Sequence, residues 1–321
     1  MTTGLGIRWN WHRIASRSII GVLIFGVLML VIYFESAPYD GTIWNNDLGP
    51  DAYPPGVTHR TFHSTSMNVD VGYCIYLPPE YSTNPNQRFP VIYTGTGQGW
   101  MSGANENQDM FFYPPLLVSA NIQPTILVSL MPGSNSKYMD AIPGSSMYGV
   151  VMVETMIIKE LITFIDATYR TRANQGGRAI LGFSGGGQGA LRLAFKYPEL
   201  FSSVEGMSGA VDDHGPNVAV NEPHLLAAMF NGDTAAFDLQ TATGQAKANR
   251  DNIIASGVAI HMSVGSNDPL LPDNQELDNL LTSLGIPHDP LEVVPGGIHD
   301  PPSIWGIIGT TPFQYINAHF H

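Results

Sequence analysis

The sequence of 321 residues has little cysteine and little charge. Its single cysteine, Cys74, excludes an internal disulfide framework and a cysteine-rich zinc site, and its apolar surroundings predict a small buried side chain. Lys and Arg number 14 against 27 Asp and Glu, a net charge of -13. This balance argues against a nucleic-acid partner, which requires a basic face. With 44% hydrophobic and 13% charged residues, the chain is predicted to be globular with a substantial core.

One long uncharged run lies near the start of the chain, over residues 18–34. It reaches the lower limit of about 17 residues for a membrane-spanning helix. The flanking charges differ in sign: Arg8, Arg13 and Arg17 precede the run, whereas Glu35, Asp40, Asp47 and Asp51 follow it. The positive-inside rule therefore predicts a cytoplasmic segment over 1–17, a single-pass transmembrane anchor over 18–34 and an extracytoplasmic remainder.

A cleaved signal peptide, which would make the protein secreted, is the alternative. Cleavage requires small residues at the last and third-last positions. A cut after Ala37 places Glu35 at the third-last position, and a cut after Ser36 places Phe34 there. Neither site fits, so the membrane anchor is the favoured prediction. Residues 35–56 are rich in Pro, Gly, Asn and Asp, which is typical of a linker.

From residue 57 to the C-terminus, strand-length apolar runs alternate with helical segments. This alternation predicts an α/β domain over 57–321, with a mostly parallel central sheet, helices on both faces and an antiparallel edge formed by the first two strands. The segment 211–255 is polar and is predicted to be a lid insertion over the sheet. The predicted strands are 57–64, 69–77, 89–94, 124–131, the run before Gly182, 201–207, 258–264 and 291–294. The predicted helices are 110–120, 148–169, the segment after Ser184, 222–230, 274–284 and 303–317.

The run Gly182-Phe183-Ser184-Gly185-Gly186 joins an apolar strand to a helix start. This is the layout of a nucleophile elbow, in which a serine on a strained turn presents its hydroxyl at the top of an α/β-hydrolase sheet. The backbone N–H of Gly185 begins the helix and would face a developing oxyanion. Ser184 is therefore the candidate nucleophile. The alternative is a glycine-rich turn between a strand and a helix that has no catalytic role.

A serine nucleophile requires a base, which a third group must orient. On this fold the chain order is Ser, then Asp or Glu, then His. His299 follows the last predicted strand in a glycine-rich loop and is the predicted base, with His214 as the second candidate. Asp268 follows the preceding strand and is the predicted orienting acid, although an Asp in Asn-Asp-Pro is also an ordinary turn residue. The weaker candidates for the acid are Asp273, Asp278 and Asp300.

A second oxyanion donor is expected from the loop after the third strand. That strand runs into Gly95-Thr96-Gly97. Thr96 is the predicted donor, and Gly97 is the alternative. A flexible loop without a role in chemistry would also fit this composition.

The part of the chain from residue 57 to its end contains several further motifs: Tyr76-Leu77-Pro78-Pro79-Glu80-Tyr81, Pro90-Val91-Ile92-Tyr93, Glu160-Leu161-Ile162-Thr163-Phe164-Ile165-Asp166, the elbow, Tyr197-Pro198-Glu199-Leu200-Phe201, Ser208-Gly209, and Gly296-Gly297-Ile298-His299-Asp300 with Trp305. With these motifs it resembles the putative-esterase branch of the α/β-hydrolase superfamily. That branch includes feruloyl and acetylxylan esterases, the esterase D or S-formylglutathione hydrolase group, and mycolyltransferases. In this family the residue before the glycine of the oxyanion loop is commonly His or Asp, where this chain has Thr94, and the residue after the serine is usually Met, where it has Gly185.

The resemblance implies a serine hydrolase that cleaves carboxylic esters, with Ser184 as nucleophile, His299 as base and Asp268 as the orienting acid. No zinc-ligand or nucleotide-binding signature is present, so no cofactor is expected. The expected substrate is a small-molecule or carbohydrate-linked ester. Two alternatives remain: an acyltransferase to a sugar hydroxyl, as in the mycolyltransferases, and a non-catalytic binding module on the same scaffold.

Overall fold

The computed structural model describes residues 44–95, 108–133, 136–211 and 219–321. Within these residues, eight strands form one sheet in the order β1-β2-β4-β3-β5-β6-β7-β8. The strands are β1 Val57–Ser64, β2 Val69–Tyr76, β3 Val91–Gly95, β4 Ile126–Ser129, β5 Arg178–Phe183, β6 Ser203–Met207, β7 Ala259–Gly265 and β8 Glu292–Val294.

The sheet has an antiparallel edge and a parallel centre. Strand β2 is antiparallel to both β1 and β4, whereas the pairs from β4 through β3 to β8 are all parallel. The predicted mostly parallel sheet with an antiparallel edge is thus confirmed. Because β3, β5, β7 and β8 run in the same direction, the loops that follow them emerge at one edge of the sheet, where open α/β folds place their sites.

Helices connect the strands and cover the sheet. The α-helices are α1 Glu80–Thr83, α2 Tyr113–Ser119, α3 Val153–Thr155 continued by a π-helical segment Met156–Leu161 and by Ile162–Thr168, α4 Gly185–Lys196, α5 Pro223–Phe230, α6 Thr234–Asp238, α7 Ala242–Ala248, α8 Arg250–Ser256, α9 Leu271–Leu284, α10 Pro301–Ile308 and α11 Thr311–Ala318. Short 3₁₀ turns lie at Gln108–Phe111, Gln175–Gly177 and Pro198–Leu200.

Two predicted helices differ from the observed ones. The helix predicted over 148–169 begins at Val153, because Gly149 adopts a left-handed φ of 83° and Met152 pairs with Asp140 in a β-bridge. The closing helix predicted over 303–317 is two helices, α10 and α11. They separate at Gly309, which has a φ of 59°. The new helix begins at Thr311 with proline at position 312 in its first turn, where proline is tolerated, unlike in a helix interior.

Helices pack on both faces of the sheet, as the sequence predicts. On one face, α2, α10 and α11 form an apolar cluster with strand residues, including Tyr113, Leu117, Trp305, Phe313, Ile316, Ile92, Leu181, Phe183 and Met207. On the other face, Leu191 of α4 packs closely on Gly206 of β6. A Cβ added at Gly206 would lie only 2.6 Å from Cδ1 of Leu191. Helix α4, which follows Ser184, is therefore fixed directly against the strands that carry the site.

The predicted linker over 35–56 requires a correction in its second half. The described residues from 44 onward belong to a compact unit whose bounds are Thr42–His321. The N–H of Gly72 on β2 donates to the carbonyl of Trp44 at 2.6 Å, and the Tyr53 ring stacks on His59 with centroids 6.1 Å apart. This part of the chain therefore packs against the sheet rather than extending away from it.

The predicted cytoplasmic segment 1–17 and membrane anchor 18–34 lie outside the described residues. In the part of the chain that the structure does describe, none of the helices combines the length and the apolar character needed to cross a membrane.

The described part of the insertion between β6 and β7 contains the helices α5 to α8. Helix α5 contacts the loop after β4: Ile142 and Met147 donate backbone hydrogen bonds to the carbonyls of Met229 and Ala228, at 2.9 and 3.3 Å. Helix α6 buries Phe237 completely, and α7 buries Ala246. The described part of the predicted lid is therefore packed into the domain by its own apolar residues.

Candidate active site

Ser184 lies at a sharp turn between β5 and α4. Its φ of 57° and ψ of -121° are rare for a residue with a side chain and cost on the order of 1–3 kcal/mol. The turn is held from two sides. The Ser184 N–H donates to the Met207 carbonyl of β6 at 2.9 Å, and its own carbonyl accepts from Ala210 at 3.1 Å. Glycine at 182 is required, because a Cβ there would lie 2.2 Å from the Gly186 carbonyl oxygen.

The structure brings together the three residues that the sequence nominates for catalysis. Nε2 of His299 lies 2.9 Å from Oγ of Ser184. Nδ1 of the same ring lies 2.9 and 3.1 Å from the two carboxylate oxygens of Asp268. The side chains form one hydrogen-bonded row, although 115 residues separate Ser184 from His299 in the chain.

The hydrogen-bond donors in this row follow from the chemistry of its groups. An ionised carboxylate can only accept, so Nδ1 of a neutral His299 carries the proton that it donates to Asp268. Nε2 is then an acceptor and takes the hydrogen bond from the Ser184 hydroxyl. This tautomer places a base next to the hydroxyl.

The loops that carry Asp268 and His299 fit against each other at the ends of β7 and β8. A Cβ at Gly265 would lie 2.3 Å from the Gly297 carbonyl oxygen, and the Asn267 N–H donates to that same carbonyl at 2.9 Å. The His299 ring also rests on Phe183, with ring centroids 4.9 Å apart. The imidazole is thus held between its partner loop and the strand that precedes the serine.

Asp268 is buried, with its side chain fully excluded from solvent, whereas the His299 side chain is 30% exposed. Besides His299, its carboxylate accepts from the Leu270 N–H at 2.8 Å. The weaker acid candidates have other positions. Asp300 caps α10 by accepting from the Ser303 N–H at 3.0 Å, Asp278 accepts from the Leu291 N–H at 3.1 Å, and Asp273 lies in the first turn of α9.

The first predicted oxyanion donor, Gly185, lies at the N-terminus of a helix. Gly185 is the first residue of α4, and first-turn N–H groups have no acceptor within their own helix. Thr96, Gly97 and His214 lie outside the described residues. The last residue of β3, Gly95, packs against the start of α4, since a Cβ there would lie 3.1 Å from the Gly186 carbonyl oxygen.

Sequence reasoning misses a buried charged cluster that α4 forms with α3, Tyr138 and the residue Gln240 that follows α6. Arg192 is fully buried, forms an ion pair with Glu154 of α3, and donates to the Tyr138 carbonyl at 3.0 Å and to the side-chain oxygen of Gln240 at 2.9 Å. Burial by itself raises the pKa of Glu154, but Arg192 and Lys196 outweigh it and lower that pKa to about 2. No local pattern reveals this cluster, because Arg192 is 38 to 54 residues away from Glu154, Gln240 and Tyr138 in the chain.

Within the described ranges, no group of three or more His, Cys, Asp or Glu side chains is arranged to hold a metal ion. The acids and histidines of the site are engaged with each other as described above.

A family model described as "Putative esterase" matches residues 64–285 of this chain. The match includes β2 to β7, the elbow and Asp268. It ends before β8 and His299.

Named relatives are also esterases. An esterase of Mycobacterium tuberculosis is 28% identical over 267 residues, with 76% of this chain and 56% of the relative covered. The chain therefore spans about half the length of that relative. An acetyl esterase of Caldicellulosiruptor saccharolyticus is 25% identical over 201 residues, with 60% of this chain and 70% of the relative covered.

Solved structures share the fold. A ferulic acid esterase aligns with a TM-score of 0.62 at 23% identity, covering 82% of this chain and 97% of its own. An S-formylglutathione hydrolase from Agrobacterium tumefaciens aligns with a TM-score of 0.64 at 16% identity, covering 87% of this chain and 99% of its own. At these identities the likeness shows an α/β-hydrolase fold.

Proposed function

This chain belongs to the putative esterase family, and from that membership and the row of Ser184, His299 and Asp268 we propose that it is a serine hydrolase of carboxylic esters. The observation that carries the proposal is the 2.9 Å separation of His299 Nε2 from Ser184 Oγ, with Nδ1 held by a buried carboxylate. A nucleophile, a base and an orienting acid in hydrogen-bond reach are the arrangement that covalent catalysis requires.

The proposed reaction has two balanced halves. In the first, His299 Nε2 takes the Ser184 proton while Oγ bonds to the ester carbonyl carbon; collapse of the tetrahedral intermediate breaks the ester C–O bond, and the imidazolium returns the proton to the departing alcohol. In the second, His299 takes a proton from water, whose oxygen attacks the acyl-enzyme. The acid is released, and Ser184 regains its proton. Asp268 stabilises the imidazolium in both halves.

The tetrahedral intermediates carry a negative oxygen that needs preorganised donors. Gly185 is proposed as one donor, because its N–H lies at the start of α4 directly after Ser184. Thr96, in the loop after Gly95, is proposed as the second. Together they would stabilise negative charge that develops only in the transition state. Stabilisation confined to the transition state lowers the barrier of the chemical step.

The substrate class proposed is an ester of a small carboxylic acid, including acids esterified to carbohydrate. Its support comes from relatives and structural neighbours, which are named as an acetyl esterase and a ferulic acid esterase.

A fluorophosphonate probe tests the proposal, because it phosphonylates an activated serine. We expect the intact protein to be labelled once, at Ser184, and to hydrolyse p-nitrophenyl acetate. Ser184→Ala should abolish both signals. Ser283→Ala, which removes an exposed hydroxyl from α9, is the matched control and should abolish neither. A folded Ser184→Ala protein with wild-type esterase activity would contradict the proposal and favour a non-catalytic role for this row.

We also propose that residues 18–34 anchor the protein in a membrane with the hydrolase domain on the extracytoplasmic side. The support is the uncharged run and the sign of the charges on its two sides, which together fix orientation by the positive-inside rule.

A further inference from the structure

Tyr138 lies in the segment between β4 and α3, in a strained backbone conformation. Lys137 and Tyr138 have φ values of 55° and 59°, and two successive left-handed residues with large side chains are uncommon. The conformation is fixed by hydrogen bonds at both ends of the residue. The Tyr138 N–H donates to Oγ of Ser136 at 3.1 Å, and its carbonyl accepts from the buried Arg192 of α4 at 3.0 Å. Strain that is held in this way is often found beside functional sites.

The aromatic ring of Tyr138 is fully buried and lies directly on the helix that follows the nucleophile. A Cβ added at Gly189 would lie 2.3 Å from its Cδ2 and 2.5 Å from its Cγ. Real Cβ atoms do not approach so closely, so only glycine at position 189 lets the ring rest on the second turn of α4. The ring and the helix backbone are therefore in direct contact.

The hydroxyl of Tyr138 reaches the junction of β3 and α4. A Cβ added at Gly95 would lie 3.1 Å from this hydroxyl oxygen and 3.1 Å from the carbonyl oxygen of Gly186. Gly95 is the last residue of β3, and Gly186 follows Gly185 in the first turn of α4. The Tyr138 side chain thus packs on α4, which begins with Gly185, and lies beside the end of β3, which Thr96 follows in the chain.

We propose that Tyr138 is a positioning residue of the oxyanion hole, which sets the separation between the end of β3 and the N-terminus of α4. The inference rests on the proposed hydrolase function. Arg192 supports this role by joining the Tyr138 carbonyl to α4 itself, so that the tyrosine and the helix are held as one unit.

The expected kinetic signature follows from when an oxyanion hole acts. Its donors bind the transition state more strongly than the ground state. A change in their separation therefore lowers kcat and leaves KM nearly constant. A tyrosine that merely fills space would, when it loses its hydroxyl, change thermal stability and leave kcat per active site unchanged.

The test compares Tyr138→Phe, Gly189→Ala and Tyr93→Phe in the full chain, with p-nitrophenyl acetate as substrate. Active sites are counted by fluorophosphonate titration, so that any unfolded fraction does not enter kcat. We expect Tyr138→Phe to lower kcat about tenfold, less than the 10²–10³-fold that follows loss of a donor itself, with KM within about twofold. Gly189→Ala displaces the ring and should lower kcat at least as much. Tyr93→Phe, a buried tyrosine on β3 itself, is the matched control and should retain wild-type kcat.

Each other result overturns the inference. If Tyr138→Phe retains the wild-type kcat per titrated site, the residue has no positioning role. If KM increases at constant kcat, the residue contributes to ground-state binding instead. Equal losses of kcat in Tyr138→Phe and Tyr93→Phe indicate a general loss of packing. Failure of the proposed function itself is recognised separately, because the wild-type protein would then take up no fluorophosphonate.

Discussion

Asp268 directs both carboxylate oxygens at Nδ1 of His299, at distances of 2.9 and 3.1 Å, from a side chain that solvent does not reach. In such a position the carboxylate both selects the imidazole tautomer and offsets the positive charge that forms when Nε2 accepts a proton. The carboxylate also accepts a hydrogen bond from the Leu270 N–H, which fixes it in its loop.

Asp268→Asn should therefore retain the fold and lose most of the activity. The amide has the same shape, but it can donate to Nδ1 and so favours the tautomer with the proton on Nε2, which cannot accept from Ser184. In a comparable triad this change lowers kcat about 10⁴-fold, and we expect a similar loss of p-nitrophenyl acetate hydrolysis. Asp300→Asn is the control, because Asn caps a helix as well as Asp. Equal damage from the two substitutions would show that the orienting acid is misassigned.

Gly182→Ala should destabilise the elbow. Its added methyl group would lie 2.2 Å from the Gly186 carbonyl oxygen, and strand and helix backbones cannot separate without loss of packing. We expect a loss of about 1–3 kcal/mol in the free energy of unfolding, measured by chemical denaturation, together with lower activity. Gly306→Ala, in the exposed part of α10 with no atom within 4 Å of the added group, should be neutral or slightly stabilising. Similar losses in both variants would contradict this account of the turn.

The proposed membrane anchor predicts a defined protease sensitivity. Protease added to intact cells or spheroplasts should degrade the hydrolase domain and spare a tag placed before residue 18, because Arg8, Arg13 and Arg17 keep that end on the cytoplasmic side. Immunoblots for the tag and for the domain, with lysed cells as the control for protease access, measure both ends. Full-length protein recovered from the soluble cytosolic fraction would contradict the anchor.

Much of the fold could be predicted because its signals are local. The elbow is recognisable from five consecutive residues. Asp268 and His299 each lie in the loop that directly follows a predicted strand. Parallel strands bring their carboxyl ends to one edge, so this local placement was enough to nominate residues that the structure finds in one hydrogen-bonded row.

The features that the sequence did not predict depend on contacts between distant residues. Tyr138 and Arg192 are 54 residues apart, and nothing around either one indicates the partner. The start of α3 depends on the left-handed Gly149, and the division of the closing helix depends on Gly309. In both cases apolar periodicity continues past the point where the backbone turns.

Asp109 is a further residue that the sequence did not single out, and it lies close to the proposed oxyanion region. It belongs to the 3₁₀ turn Gln108–Phe111 and is 7% exposed. The Thr94 hydroxyl of β3, one residue before Gly95, interacts with the Asp109 carboxyl group. Burial raises the pKa of Asp109 to about 7, an increase that the nearby Thr94 hydroxyl only partly opposes. The buried carboxyl is therefore neutral in mildly acidic solution and ionises near neutral pH.

The sign of the resulting pH dependence can be derived. Between the ordinary pKa of 3.8 and the folded value of about 7, the folded state holds a proton that the unfolded state has released. The free energy of unfolding therefore falls as pH rises across that window and changes no further above it. At about 1.4 kcal/mol for each pH unit, the loss from this group is on the order of 4 kcal/mol.

Asp109→Asn should remove this dependence, since the amide resembles the neutral acid and does not ionise. We expect the free energy of unfolding of the wild-type protein, measured by chemical denaturation from pH 4 to 8, to decline relative to that of Asp109→Asn, with most of the decline complete by pH 7. The comparison cancels the titration of every other group, because both proteins share them. Parallel stability curves for the two proteins over this range would show that Asp109 is already ionised in the folded state at pH 4, and that its burial does not hold the proton.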